Sequence, residues 1–288
     1  MNYNDIFSSY VSLAEEKLNN FINLYNGRVP KDIFSAVNYA VSGGGKRVRP
    51  VLLFAVADSL GVSKDNLYGF AVAIELIHSY SLVHDDLPAM DNDDYRRGKL
   101  STHKKFGEAL GILTGDALLN MSFDSMLDSI CDKNSLDCAK NISKLAGISG
   151  MIKGQVLDMD DNKTFVSKEL LYDIYLNKTS KLIMASVLAP SFYKQEYFEI
   201  LKEYGENLGY LFQITDDILD EESSLEVLGK TPKKDAEQNK LTAIKLFGLS
   251  GAKDMAKKHY ERCTLLLNHI PNNQFLLKFT DNMYTRKK

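Results

Sequence analysis

Five aspartates fall within ten positions of the segment HDDLPAMDNDDYRRG, residues 84–98: Asp85, Asp86, Asp91, Asp93 and Asp94. An isolated acidic run is as often a solvated loop as a site. Here the acids close an apolar helical pattern and two arginines follow at once, which favours a site. His78 precedes Asp85 by seven residues, so an ideal helix sets both on one face, within about 20°. Asp91, six residues beyond Asp85, lies about 240° around the same wheel. The two carboxylates can converge only if the helix breaks between them, and Pro88 supplies the break.

A second acidic cluster lies in FQITDDILDEE, residues 212–222. Gln213, Asp216 and Asp220 are spaced three and four apart, which puts them on one helix face. Like charges at that spacing repel by roughly a few tenths of a kcal/mol, a cost that a cation between them offsets. Phe212, Ile214, Ile218 and Leu219 are interleaved with the acids, so the helix is at least half buried rather than a free acidic turn. Ligands that are all oxygen suit Mg²⁺, Mn²⁺ or Ca²⁺ rather than zinc or copper. The ligand spacing of an EF-hand is absent. Mg²⁺ takes a few carboxylates, keeps waters and completes its shell with substrate phosphates.

The cations point to phosphate too. Of 35 basic residues only seven are arginines, and four of these stand in two short segments. Arg47 and Arg49 lie in GGGKRVRP, Arg96 and Arg97 in YRRG. A rigid, bidentate guanidinium suits phosphate where a solvated surface has no need of one. Glycines 43–45 could bring backbone N–H groups close to an anion, although the run lacks the spacing of a Walker A loop. Lys178-Thr179 and Lys230 are further candidate phosphate contacts. From the residues alone, the pattern is a Mg²⁺-complexed polyphosphate held between two acidic helices over apolar residues. That arrangement suits a diphosphate head with a hydrocarbon tail.

The elements that must position these groups read as helices. Long stretches carry apolar residues at three- and four-residue spacing. The six prolines (30, 50, 88, 190, 232 and 271) mark helix edges or kinks. No alternating strand pattern with a hairpin turn is evident. The expectation is an all-α protein of roughly ten or more helices, with a single domain spanning 1–288, since no linker or fixed repeat divides it. SGGGKRVRP reads as a loop opening into a helix, and EVLGKTPKKDAEQNK (226–240) as a polar, mobile loop. The net charge of −3 argues against nucleic acid as a partner. No apolar run is long enough for a membrane span, and the start lacks the features of a secretory signal. Three cysteines without CxxC spacing point to a reducing cytosol.

In combination, HDDLPAMD with RRG, DDILD, GGGKRVRP, the KT pair, FQ before the second acidic motif, and GKTPKKD with the following K-x-T resemble the trans-isoprenyl diphosphate synthases. The motifs occur in the family's order from residue 43 to residue 242. The resemblance implies an all-α homodimer, a helical bundle of isoprenoid synthase type with a central active-site cavity. It implies condensation of an allylic diphosphate with isopentenyl diphosphate, with three Mg²⁺ ions for which Mn²⁺ can substitute. The allylic diphosphate departs, the isopentenyl double bond attacks the resulting cation, and a proton is lost to the departing diphosphate. Asp85 and Asp91 would hold two metals, with Asp86 supporting. Asp216 would hold the third, helped by Asp217 or Asp220. Arg96, Lys178 and Lys230 would grip the allylic diphosphate. Gly45, Lys46, Arg49, His78 and Arg97 would hold isopentenyl diphosphate. Thr179 and Gln213 would line the cation path, with Gln155 and Asp158 as a supporting shell. The sequence departs from the family at Lys233 and at Ala243-Ile244, which bears on the geometry of the 226–240 loop rather than on a metal ligand, and mildly at Lys153-Gly154-Gln155, where the family has GGQ.

Tyr80, five residues before Asp85, offers an aromatic ring to stop a growing tail, while Ser81 beside it is small. An ideal wheel sets Tyr80 about 140° from Asp85, so it would cap the cavity from the side. With the Pro88-Ala89 insertion, this resembles bacterial farnesyl diphosphate synthases and implies a C15 product from dimethylallyl and geranyl donors. A geranylgeranyl or longer-chain synthase shares every motif. A terpene cyclase fits DDILD poorly. A non-catalytic subunit of a heteromeric synthase should lack one acidic motif, and this chain has both.

Overall fold

The computed structural model describes residues 2–42, 45–159, 166–226 and 240–286. It is built almost wholly from helices, as the periodicity implies. In chain order they are α1 (Tyr3–Asn23), α2 (Lys31–Val41), α3 (Val48–Leu60), α4 (Tyr68–Asp85), α5 (Thr102–Phe106), α6 (Glu108–Asp128), α7 (Lys133–Ala146), α8 (Met151–Met159), α9 (Lys168–Ile174), α10 (Lys181–Leu188), α11 (Phe198–Glu226), α12 (Ala243–Leu267) and α13 (Gln274–Thr285). The chain divides into two compact units, Met1–Lys140 and Asn141–Lys288.

In the first unit α3 and α4 are apolar on every side and form the core, α3 burying Val51 to Ala57 without interruption and α4 burying Phe70 to Ile77. A helix apolar all round must be enclosed, and α4 is packed along α6, with α3 and α1 against it. Local chemistry sets the boundaries. Asn2 caps α1 by accepting from the Asp5 N–H. Gly61, at φ 66°, closes α3 in the left-handed conformation that costs glycine least. Pro30 precedes α2, Pro50 lies in the first turn of α3, and Pro190 and Pro271 fall outside α-helices. Pro232 lies outside the described residues.

One element departs from the all-helical expectation. Tyr95–Arg96 and Lys99–Leu100 form a two-stranded antiparallel hairpin, Tyr95 opposite Leu100 and Arg96 opposite Lys99. Its turn residues Arg97 and Gly98 both have positive φ, 52° and 75°, the signature of a tight primed turn. Two residues per strand are too few to show alternation, and arginine is not a usual first turn residue, so the pattern was invisible in the sequence.

In the second unit α11 packs along α12 and α10, and its buried side includes Tyr204, Leu208, Leu211 and Ile214. Between α9 and α10 the chain widens into a π-helical turn, Tyr175–Ser180. Such turns are rare and concentrate at functional sites; this one carries Lys178 and Thr179.

Candidate active site

In the first unit, α4 delivers His78, Tyr80, Ser81 and Asp85 and then stops. The chain turns at Pro88 and comes back on itself: the Asp91 N–H donates to the Asp85 carbonyl at 2.9 Å, and the Asp93 N–H to the Asp86 carbonyl at 3.1 Å. The break expected at Pro88 is present, and it draws the two ends of the motif together.

Asp86 faces inward, 2% exposed. It accepts from both Nε and a terminal nitrogen of Arg96, and Asp93 stands 3.5 Å from the same guanidinium. Burial alone would lower the Arg96 pKa; the Asp86 hydrogen bond and charge, with Asp85 and Asp91, raise it. Arg96 is therefore a fixed cation beside the motif.

The four clustered arginines converge on His78. Burial first, then Arg49, Arg97, Arg47 and Arg96, push its pKa well below the ordinary histidine value. At neutral pH it is an uncharged imidazole in a cationic pocket, the environment a diphosphate would complete. Partial burial, with Arg47 and Arg96 nearby, lowers the Arg97 pKa. Gly45 serves this cluster differently from the expected anion nest: a Cβ there would stand 2.6 Å from an Arg97 guanidinium nitrogen. The glycine makes room for the arginine. Lys46 is exposed at the edge of the cluster.

Arg47 corrects the reading of all four arginines as phosphate ligands. It is 5% exposed, donates to Glu75 at 2.7 Å and to the Val41 carbonyl at 2.7 Å. Glu75 is itself 3% exposed. This buried pair is spent on the fold, because removing either partner would strand a charge in the core.

Tyr80 is buried, with its ring edge-on to His84 of the same helix. Burial and the Asp85 charge raise its hydroxyl pKa to about 12. The Ser81 hydroxyl donates back to the His78 carbonyl.

In the second unit, Lys178 extends to Asp158, 2.6 Å away. Thr179 Oγ1 donates to Gln213 Oε1 at 2.8 Å, and the Gln213 amide donates to Asp217 at 3.2 Å. Asp217 is buried, whereas Asp220 is exposed and the Asp216 side chain is 39% exposed. Gln213 thus bonds to Asp217, four residues on and on the same helix face. Asp217 also accepts from the Tyr175 hydroxyl and from the Ala243 N–H, the latter at 2.8 Å. The Gln155 amide nitrogen is buried and has no hydrogen-bond partner among the described residues. Lys230 and Lys233 lie outside the described residues.

Arg286 was missed in the sequence. It donates to Asp216 and, at 2.9 Å, to the Phe212 carbonyl, with its guanidinium over the Phe212 ring. A cation thus already rests on the carboxylate expected to hold a metal. The one sequence signal was the scarcity of arginine.

The oxygen-only donors fit a hard divalent cation. Among the described residues no three acidic, histidine or cysteine side chains form a ready metal cage.

Comparison with known proteins gives a consistent picture. The family model described as Polyprenyl synthetase matches residues 30–268. A farnesyl diphosphate synthase of Micrococcus luteus is 42% identical over 258 residues, covering 84% of this chain and 88% of that protein. A chloroplastic geranylgeranyl pyrophosphate synthase of Arabidopsis thaliana is 39% identical over 266 residues, 88% of this chain and 75% of that one. A geranyltransferase structure from Legionella pneumophila superposes with a TM-score of 0.86 at 31% identity, covering 99% of this chain and 97% of the other.

Proposed function

The chain belongs to the polyprenyl synthetase family, and on that premise we propose that it is a prenyltransferase making farnesyl diphosphate from isopentenyl diphosphate and the allylic donors dimethylallyl and geranyl diphosphate. The observation that carries this reading is the returning loop after α4, where the Asp91 N–H closes onto the Asp85 carbonyl beside an arginine fixed by Asp86. It brings the stretches of chain that carry two carboxylates and one cation together at the end of an apolar helix.

Asp85, Asp91 and Asp216 would hold Mg²⁺, three ions per site in our reading, with Asp220 at the outer edge. Asp86 and Asp217 act by orienting neighbours, since Asp86 pairs with Arg96 and Asp217 with Tyr175 and Gln213. Bound Mg²⁺ supplies neutralisation of the charge that develops on the departing allylic diphosphate. Arg96, Lys178 and Lys230 hold that diphosphate, Lys178 steered by Asp158. Lys46, Arg49, Arg97 and neutral His78 hold isopentenyl diphosphate, with Gly45 leaving room for Arg97, and place its double bond for attack on the allylic carbon. Thr179 and Gln213 present oxygen atoms to the passing cation. The proton lost after condensation goes to the released diphosphate. Exclusion of water keeps the cation from being quenched.

The chain acts as a single catalytic domain over 1–288 and pairs as a homodimer in this reading. No described helix is long and apolar enough to cross a membrane. Cys131, Cys138 and Cys263 are all free thiols, which suits a reducing cytoplasm.

The test is product analysis with radiolabelled isopentenyl diphosphate, each allylic donor, and Mg²⁺ or a chelator. A Mg²⁺-dependent C15 product is expected. Absence of any prenyl transfer would sink the reading; C20 as the main product would move the chain to the geranylgeranyl class. Tyr80→Ala is the length control and should lengthen the product, because each further buried CH₂ adds about 0.8 kcal/mol.

A further inference from the structure

Asp217 is a buried carboxylate at the centre of the second unit. It is 5% exposed, and a charge held so deep persists only if hydrogen bonds replace its water. Among the described residues, the Tyr175 hydroxyl, the Gln213 amide at 3.2 Å and the Ala243 N–H at 2.8 Å donate to it. Tyr175 is 4% exposed, and its hydroxyl also accepts from the Ala243 N–H at 2.8 Å.

The register explains why these groups meet. Tyr175 and Thr179 are four apart on the π-helical turn; Asp217 and Gln213 are four apart on α11. The pairing is antiparallel, Tyr175 on Asp217 and Thr179 on Gln213. The Gln213–Asp217 bond joins the two rungs. The two elements approach closely: a Cβ on Gly209 would lie 2.4 Å from Ser180 Cα. Asp217 is also the chain neighbour of Asp216, so anything that shifts it along α11 shifts a metal ligand.

We propose that Tyr175 is a positioning residue for prenyl transfer, acting through Asp217 to aim Gln213 and Thr179. The Tyr175 hydroxyl has one donor hydrogen and spends it on Asp217. With Asp217 held, its other oxygen is free to accept the Gln213 amide, which fixes which face of that amide carries Oε1. Gln213 Oε1 then faces Thr179 and orders its hydroxyl. Without the Tyr175 hydroxyl, Asp217 can rotate toward Ala243, and the amide and hydroxyl beyond it lose their fixed direction.

The inference rests on the prenyl transfer proposed above, and the experiment separates the two. Wild-type enzyme, Tyr175→Phe, Thr179→Val and the double variant are assayed with geranyl and isopentenyl diphosphates. Wild-type inactivity overturns the functional reading itself. With an active wild type, Tyr175→Phe should lower kcat about tenfold, the scale of one hydrogen bond to a charged group. KM for isopentenyl diphosphate should stay within about twofold, because none of these residues is among those proposed to hold it. The double variant should be no slower than the slower single variant, as expected for residues in one chain of contacts. An unchanged kcat, or losses that multiply in the double variant, overturns the role of Tyr175. If Tyr175→Phe does not fold, Asp217→Asn is read in the same assays and must show the same split between kcat and KM.

Discussion

Two carboxylates in different surroundings are assigned one job, and single substitutions test it. Asp85 sits where α4 stops, and Asp216 lies half exposed on α11 under the guanidinium of Arg286. Asp85→Ala and Asp216→Ala should each cut kcat by roughly two orders of magnitude or more, as removal of metal-mediated leaving-group stabilisation does. Circular dichroism and thermal midpoints should stay near wild type, because neither side chain is in the core. Turnover near wild type in either variant, at saturating Mg²⁺, would remove the metal assignment. Much of this residue-scale chemistry was legible in advance. Aspartate spacing, the break at Pro88 and the arginine clusters are local properties of the chain. What escaped were partners far apart in sequence. Arg47 looked like its neighbours until Glu75, 28 residues on, was seen to claim it. Arg286 lies 70 residues beyond Asp216, in no motif. The split of duties between Asp216 and Asp217 depends on which side of α11 is covered, and only packing decides that.

At the scale of elements, helix identity follows from apolar periodicity, whereas the irregular pieces that aim the site do not. The hairpin at 95–100 and the π-helical turn at 175–180 have no strong local signature. Both nonetheless place site residues. The π-helical turn is wedged tightly against α8, where a Cβ on Gly154 would stand 2.1 Å from the Lys178 nitrogen and 2.5 Å from the Asn177 carbonyl carbon. These are backbone atoms and cannot swing aside. Gly154→Ala should therefore destabilise the protein by about 1–3 kcal/mol, the usual cost of overpacking, visible as a lower urea midpoint. It should also displace Lys178 and weaken binding of the allylic diphosphate. A variant with unchanged stability and unchanged allylic KM would show that the contact relaxes without cost.

The junction of α9, α11 and α12 gives a prediction of another kind. His259 on α12 is 6% exposed and bonded to Tyr172 and Asn207. Burial first, then Lys258 and Lys168, lower its pKa to about 4. The unfolded chain binds this proton near pH 6.5, so between the two values the unfolded state holds more protons. Stability is complete above about pH 6.5 and is lost as pH falls toward 4, by at most about 3 kcal/mol. Unfolding free energies by urea titration across that range should show the slope, and His259→Gln should flatten it. A slope unaltered by the substitution would assign the acid sensitivity to other groups.

For the molecule as a whole, the remaining question is what covers the apolar surface of α6. Ile112, Leu113, Phe123 and Leu127 are 48, 54, 41 and 64% exposed. Positions 112, 123 and 127 are separated by three turns and then one, so they form a single stripe, broken in the middle by Asp116 and Asn120. From 112 to 127 the stripe runs about 22 Å at 1.5 Å per residue. Scattered exposed leucines need no explanation, but an aligned set on one core helix marks an interaction face. The homodimer proposed above would use this face twice, helix against helix across a two-fold axis, as self-complementary interfaces do. Sedimentation at micromolar concentration should then give twice the chain mass. Phe123→Asp with Leu127→Asp should lower it to one chain, since two desolvated carboxylates opposed by their own copies cost several kcal/mol. These two side chains are turned outward, so the separated chains should keep their helical content. A wild-type chain that sediments as a monomer, or a double variant that stays dimeric, would show that this stripe is not the contact between copies.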